Sequence, residues 1–269
     1  MTDQGVLRYS AFTKDPAGGN PAGVVLDATG LSAEEMLIIA AKVGYSETAF
    51  VLPRGGREFD VRYFSPEAEV PFCGHATIAT SVALAERIGD GRLTFHTRAG
   101  EITIETAGGT ASLTSVPTST SEASPELVEA ALEALGYKET AGPVHVGFGG
   151  ARHLLVPLAS REQLADLDYD FNALRDLMLA HDLTTVHLFW RESADLVHAR
   201  DPFPVGGVVE DAATGAAAAA FGGYLRDLEG PQRFVISQGE DMGRPSRLEV
   251  DATREDRRVI VTGAAVVIP

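Results

Sequence analysis

The stretch PFCGHATIATSVALAERIG, residues 71–89, decides the fold of this chain, because EDAATGAAAAAFGGYLRDL, residues 210–228, answers it. Each sets a glycine-containing turn directly ahead of a helix built almost wholly of small and apolar residues, and a helix that is apolar all round is buried on all sides. An internal repeat of a half-domain core follows. A buried helix encircled by antiparallel strands exposes only its N-terminus, where about four backbone N–H groups lack intrahelical partners and the macrodipole is positive. Two such ends facing each other would form an anion-binding cleft suited to a carboxylate. Glycine ahead of a helix is common, and an alanine-rich helix needs only a core to bury it. The repetition, with ionisable groups at both ends, is what points to a site.

Strand-like segments surround the first of these helices: VLRYSAF (6–12), AGVVLD (22–27), TAFVLP (48–53), FDVRYFSP (59–66) and the run across 93–114, punctuated by Gly, Pro and Asp. Such punctuation predicts antiparallel pairing through short turns. Within LSAEEMLIIAAKVG (31–44), Ser32 followed by Glu35 makes a capping box ahead of a helical apolar period. The polar stretch VPTSTSEASPEL (116–127) marks a boundary, after which the same grammar resumes. Helices are expected near 125–136 and 160–180, and strands near 152–158, 184–191, 195–200 and 233–237, with RLEVDA and RVIVTGAAVVI closing the chain. The expected domains are 1–116 and 117–269, with the final strand free to return to the first.

The totals narrow the function. A chain of 269 residues with 45% hydrophobic and 22% charged residues is globular, and its formal charge of −16 repels phosphate backbones and anionic lipid headgroups. Nucleic acid and membrane are therefore excluded as expected partners. The start, MTDQGVLRYSAF, lacks the basic and apolar regions of a signal peptide, so a cytoplasmic location is expected. One cysteine permits no internal disulfide and no cysteine-based metal cluster.

Four positions draw attention as chemistry. Glu47 lies in GYSETAF (44–50), between Ser46 and Thr48, where the chain enters an apolar strand. Desolvation there disfavours the charged carboxylate and raises its pKa toward a value useful for proton transfer, although a plain turn hydrogen bond is an equal alternative. His75 opens the first buried helix as a site residue or as a satisfied capping or core histidine. Asp211 precedes the second, where an N-cap is the usual job of aspartate, and Glu210 beside it is expected in solvent. Cys73, one residue before Gly74, is either an activated thiol at a helix start or, more commonly, an inert buried one. A two-thiol racemase mechanism is excluded, since EDAATGAA carries no second cysteine. PAGGNPAG (16–23) is neither a P-loop nor a dinucleotide fingerprint, and no G-x-S-x-G elbow occurs. No H-E-x-x-H is present, and His96, His145, His153, His181, His187 and His198 are scattered singly, so no catalytic metal is expected. Trp190 reads as core.

GGNPAGVVLD, L-S-x-x-E-M with YSETAFV, Y-F-S-P with E-V-P-F-C-G-H-A-T, GVVEDAATGAA and QGEDMGRPS (238–246) span nearly the whole chain. Together they resemble the PhzF-like family, the phenazine-biosynthesis isomerase group, which shares its fold with diaminopimelate epimerase. The resemblance implies an α+β architecture of two similar domains, each a barrel-like antiparallel sheet around a central helix, with the active site in the cleft between them. It carries the general acid/base to Glu47, the histidine of the G-H motif to His75 and the aspartate of E-D-x-x-T-G to Asp211. Asn20, Ser46, Cys73, Gly74, Thr214, Gly215 and Ala216 would line the substrate pocket. Two departures stand out. Where the family usually reads E-D-P-A-T-G-S-A, this chain has Ala212 and Ala216, and the R-x-F-x-P element appears as RDPFP (200–204).

The expected protein is a cofactor-independent isomerase that moves a proton within a small carboxylate-bearing metabolite. Glu47 would take and return the proton, while His75 and Asp211 orient the substrate. A one-thiol epimerase using Cys73 and a non-catalytic small-molecule binder are the alternatives, and a homodimer is compatible with the family resemblance.

Overall fold

The computed structural model describes residues 5–269, which divide into two compact units, one of residues up to Thr114 together with Thr262–Pro269 and one of Ser115–Val261. In the first unit, β1 (Leu7–Ala11) pairs antiparallel with β2 (Asn20–Val25). Helix α1 (Ala33–Val43) then crosses to β3 (Thr48–Gly55), which runs parallel to β2. β3 pairs antiparallel with β4 (Glu58–Phe64), β4 with the short β5 (Glu69–Val70), and helix α2 (Gly74–Ile88) leads to β6 (Gly91–Thr97), parallel to β4. β7 (Gly100–Ala107) and β8 (Thr110–Thr114) complete the antiparallel run.

The second unit repeats that order. β9 (Ser119–Glu122) pairs with β10 (His145–Phe148) after helix α3 (Pro125–Leu135), and β10 pairs antiparallel with β11 (Arg152–Pro157). Helices α4 (Arg161–Ala165) and α5 (Phe171–Ala180) cross to β12 (Thr185–Arg191), parallel to β11. β13 (Leu196–Pro202) is antiparallel to β12 and to the short β14 (Glu210–Asp211), and helix α6 (Gly215–Glu229) leads to β15 (Arg233–Gln238), parallel to β13. β16 (Ser246–Asp251) pairs antiparallel with β15, and the last strand, β17 (Ile260–Val267), belongs from Thr262 onward to the first unit, where it is antiparallel to β1. Strand, crossover helix, parallel strand, antiparallel strand, short strand, central helix, parallel strand: the two halves share one topology. The fold is α+β, mainly antiparallel, with two parallel pairs in each unit wherever a helix must carry the chain across.

The central helices are as buried as their composition requires. Every residue from His75 to Leu84 in α2 and from Ala217 to Leu225 in α6 is buried. Alanine, glycine, serine and threonine fill these faces because the strands approach closely on all sides. α2 packs on β1, β2, β3, β7 and β8, and α6 on β9, β10, β11 and β16. Satellite cores lie beneath the outer helices, with Met36 and Ala40 of α1 on Phe50 and Phe64, and Leu174 and Met178 of α5 on Leu154, Val186 and Leu188.

Local signals work as sequence chemistry says they should. The Ser32–Glu35 capping box is formed in both directions. The turn between β7 and β8 is Gly108–Gly109 with φ of 57° and 78°, the two positive angles a two-residue hairpin demands. One expectation is refined: the stretch 160–180 is two helices, because Asp170 caps a new one by accepting from the Asn172 and Ala173 N–H groups.

Candidate active site

In the first unit three segments converge on the start of α2. β2 begins with Asn20, and Ser46 and Glu47 immediately precede β3, the neighbouring parallel strand. The Glu47 carbonyl accepts the Gly23 N–H at 3.1 Å, which fixes this junction by the ladder itself. Cys73 is the N-cap of α2, and Gly74 and His75 form its first turn. Thr77 anchors that turn, since both its backbone N–H and its hydroxyl donate to the Cys73 carbonyl, at 3.0 and 2.7 Å. The Tyr63 hydroxyl shares a 2.6 Å hydrogen bond with Thr77 Oγ1.

Around His75 the geometry is tight. Its imidazole is 6% exposed, with Nε2 3.4 Å from Glu47 Oε2 and 3.4 Å from Ser46 Oγ. Asn20 Nδ2 lies 3.1 Å from Nδ1, and Cys73 Sγ lies 3.4 Å from the same nitrogen. With the Asn20 amide donating to Nδ1, the proton of a neutral imidazole sits on Nε2, the nitrogen that faces the carboxylate. The Glu47 side chain is 16% exposed, and burial pushes its carboxyl above the ordinary glutamate value, against smaller opposing pulls from hydrogen bonds with Ser46 and Cys73. A desolvated carboxyl that can hold or release a proton, with an oriented imidazole at its side, is equipped for general acid/base work.

Glu47, Cys73 and His75 also form the one group of three metal-capable donors among the described residues, with their ligand atoms within 4.8 Å of one another. Sequence reasoning expected no metal centre because the histidines are scattered. The cluster escapes that argument because it takes one donor from each of three residue types.

The second unit presents its own helix start. Here two expectations change. Asp211 does not cap α6: it lies on β14, and Thr214 is the N-cap, its hydroxyl donating to Asp211 Oδ2 at 2.7 Å. Glu210 is not in solvent. It is 8% exposed, and Arg200 holds it with Nη2 2.7 Å from Oε2, because β14 turns its side chain inward against β13. Thr214 is buried, while Gly215 and Ala216 are half-buried in the first turn of α6.

Sequence reading missed Gln238, the last residue of β15, which organises this helix start. Its Oε1 accepts the Thr214 N–H at 3.1 Å, and its Nε2 donates to the Asp211 carbonyl at 2.9 Å and to Thr214 Oγ1 at 3.1 Å. The signal was present in RFVISQ: Phe234, Ile236 and Gln238 share the inward face of the strand, so the glutamine amide had to find buried partners.

Two central helices, each opening beside ionisable side chains inside a mainly antiparallel wrap, define an epimerase-like architecture. The sequence pattern of the PhzC-PhzF family, described as phenazine biosynthesis-like protein, matches residues 9–269. The trans-2,3-dihydro-3-hydroxyanthranilate isomerase of Pseudomonas chlororaphis is 36% identical over 273 residues, covering 95% of this chain and 94% of that one. The protein named Uncharacterized isomerase YfhB of Bacillus subtilis (strain 168) is 31% identical over 289 residues, covering 99% and 97%. Among solved structures, the phenazine biosynthesis protein of the PhzF family from Bacillus anthracis superposes with a TM-score of 0.88 at 27% identity, covering 98% of this chain and 96% of that one. The chain belongs to the phenazine biosynthesis-like, PhzC-PhzF family, and it is an isomerase of that class.

Proposed function

We propose that this isomerase moves a proton within a small carboxylate-bearing metabolite by general acid/base catalysis, without a cofactor, and that Glu47 takes and returns the proton. One observation carries the reading: the Glu47 carboxylate, largely withdrawn from water, stands 3.4 Å from His75 Nε2. His75 then steadies the carboxylate when it is charged and orients the group it works on. The positive end of α2, with the first-turn N–H groups beginning at Gly74, supplies donors for the substrate carboxylate and for negative charge that develops as the C–H bond breaks. Asp211, held by Thr214, is assigned a part in orienting substrate and sharing the proton relay, and Gly215 and Ala216 a part in lining the pocket. Ala216 brings no hydroxyl to that lining. The named relatives make trans-2,3-dihydro-3-hydroxyanthranilate, a cyclic amino acid with an activated C–H bond, the first substrate class to try.

The test is isotope exchange. Incubation with cyclic carboxylic acids of that class in D₂O should place solvent deuterium at carbon, and Glu47→Gln should lower the rate by about 10²–10⁴-fold, the usual worth of a positioned acid/base. Exchange that survives undiminished in Glu47→Gln removes this glutamate from the reaction.

The contact of Cys73 with His75 Nδ1, and its hydrogen bond to Glu47, favour one second reading, in which the thiol shares the proton transfer. Iodoacetamide separates the two. Substrate-protected inactivation that is absent in Cys73→Ala, together with loss of exchange in that variant, would assign the thiol a role; full exchange in Cys73→Ala leaves the work to Glu47.

A further inference from the structure

We propose that Glu47, Cys73 and His75 form a binding site for one borderline-soft divalent cation of the Zn²⁺ class. Tetrahedral zinc bonds nitrogen and oxygen at roughly 2.0–2.2 Å and thiolate sulfur at roughly 2.3 Å, so adjacent donors around it stand about 3.3–3.6 Å apart. The edges here are 3.4 Å from His75 Nε2 to Glu47 Oε2 and 3.8 Å from the same nitrogen to Cys73 Sγ. All three donor atoms lie within 4.8 Å of one another, and small side-chain rotations bring them to the size of a zinc coordination shell.

Donor chemistry selects the ion. Thiolate with imidazole and one carboxylate suits Zn²⁺ and its Co²⁺ analogue, whereas Mg²⁺ and Ca²⁺ take oxygen ligands. Charge balance supports it as well: a thiolate and a carboxylate cancel the double positive charge, so the filled site is neutral, which a buried position requires. The positive end of α2 works against a bare cation, and the two anionic ligands offset that. Cys73 and His75 are held on one anchored helical turn, and since Sγ stands nearer Nδ1, at 3.4 Å, than Nε2, the thiol and imidazole rotate for Nε2 and Sγ to share one ion. Asn20 supplies outer-sphere support: with its amide flipped, Oδ1 accepts the Nδ1–H of a metal-bound imidazole across the same 3.1 Å. Three protein donors leave the fourth position to water. Ion binding needs only this geometry. Its consequence for turnover rests on the reading above, since an ion held here withdraws Glu47 from proton transfer.

The experiment uses the full chain and Co²⁺ as the probe, without substrate, so its outcome is independent of whether the isomerisation has been correctly assigned. Because Cys73 is the only cysteine, any thiolate-to-cobalt charge-transfer band reports this residue. Titration should give a band saturating at one equivalent, together with the strong visible absorption of a four-coordinate ion. The band should vanish in Cys73→Ser, and Co²⁺ affinity should fall at least tenfold in both Glu47→Gln and His75→Gln. His198→Gln, at a half-buried histidine between Glu192 and Glu240 and outside this cluster, should leave the band unchanged. X-ray absorption of the zinc-loaded wild-type chain gives a reading that needs no variant, with one sulfur and two or more nitrogen or oxygen scatterers expected. Absence of a thiolate band at one equivalent, a zinc shell without sulfur, or unchanged affinity in Glu47→Gln and His75→Gln overturns the proposal.

Discussion

His187 Nδ1 and Asp201 Oδ1 lie 2.6 Å apart on the adjacent strands β12 and β13, and neither side chain has any exposed surface. The imidazole is packed against the ring of Phe221 in α6, 5.1 Å between centroids, so the polar pair sits directly under the central helix of the second unit. His187 Nε2 and Asp201 Oδ2 have no protein partner. Such a pair contributes little net stability, but removing one member strands the other in a dry core. Asp201→Leu should therefore cost about 3–5 kcal/mol. The double variant His187→Phe with Asp201→Leu should cost distinctly less, because nothing polar is left unpaired. Urea unfolding of the two single variants and the double one measures the coupling, and simple additivity would show that the two side chains act independently.

His153, also fully buried and donating or accepting at Thr185 Oγ1 across 2.8 Å, gives the protein an acid-labile point. Burial pushes its pKa down from 6.5 to about 4, against a smaller upward pull from Asp201. Between those values the unfolded chain binds a proton that the folded chain refuses, so acid favours unfolding. Stability should be constant above pH ~6.5 on this account and should fall as pH drops to ~4, by about 3 kcal/mol in all. His153→Gln, which can keep the Thr185 contact without titrating, should flatten that part of the curve. A stability–pH profile from chemical denaturation at half-unit steps distinguishes the two shapes.

Gln238 closes the start of α6, and its loss should be felt both as stability and as function. Gln238→Leu leaves the buried Thr214 N–H and the Asp211 carbonyl without this partner, at about 2–3 kcal/mol. If Asp211 takes part in turnover, kcat/KM should fall as well, because the Thr214 hydroxyl that holds its carboxylate loses a donor. Denaturation and steady-state kinetics on the same preparation read the two effects separately. Unchanged stability would mean that water replaces the amide at no cost.

The central helices were legible because composition alone forces them inside, and the segment repeat placed them in matching contexts. Glu47, His75 and Cys73 were legible as candidates because each stands at a strand or helix start. Their mutual distances were not, since these depend on the parallel ladder between β2 and β3, a long-range pairing that no local pattern encodes. The same limit explains Glu210. Its neighbours in sequence suggest an exposed loop, but the β13–β14 pairing turns it toward Arg200, ten residues away. Gln238 failed to register for a different reason, because a polar residue at the end of a strand is ordinarily read as the strand's edge rather than as its last core-facing position. Asp211 stands near enough to the helix in sequence to suggest a cap, but the chain spends three further residues reaching it, and Thr214, at the N-cap position, turns its hydroxyl back to the Asp211 carboxylate instead of capping.

Gly149 shows how closely the second unit's central helix is approached. A Cβ on this residue would lie 2.6 Å from both the Ala216 carbonyl oxygen and the Ala220 nitrogen, and 3.1 Å from the Ala219 methyl group. Two of these three neighbours are helix backbone, which cannot rotate aside, so Gly149→Ala must push either the 149–150 turn outward or the first turns of α6 inward. Overpacking of this kind costs about 1–3 kcal/mol where the backbone has to shift. The helix start would move with it, because Ala216 belongs to the first turn that Thr214 and Gln238 position. Gly149→Ala should therefore lower stability by that amount and, if Ala216 lines the substrate pocket as proposed, raise KM more than it lowers kcat. Gly150→Ala is the matched control: no atom lies within 4 Å of its added Cβ, although its φ of 110° disfavours any side chain. It should destabilise through backbone strain alone and leave KM unchanged. Equal effects of the two substitutions on KM would show that the contact with α6 has no bearing on the site.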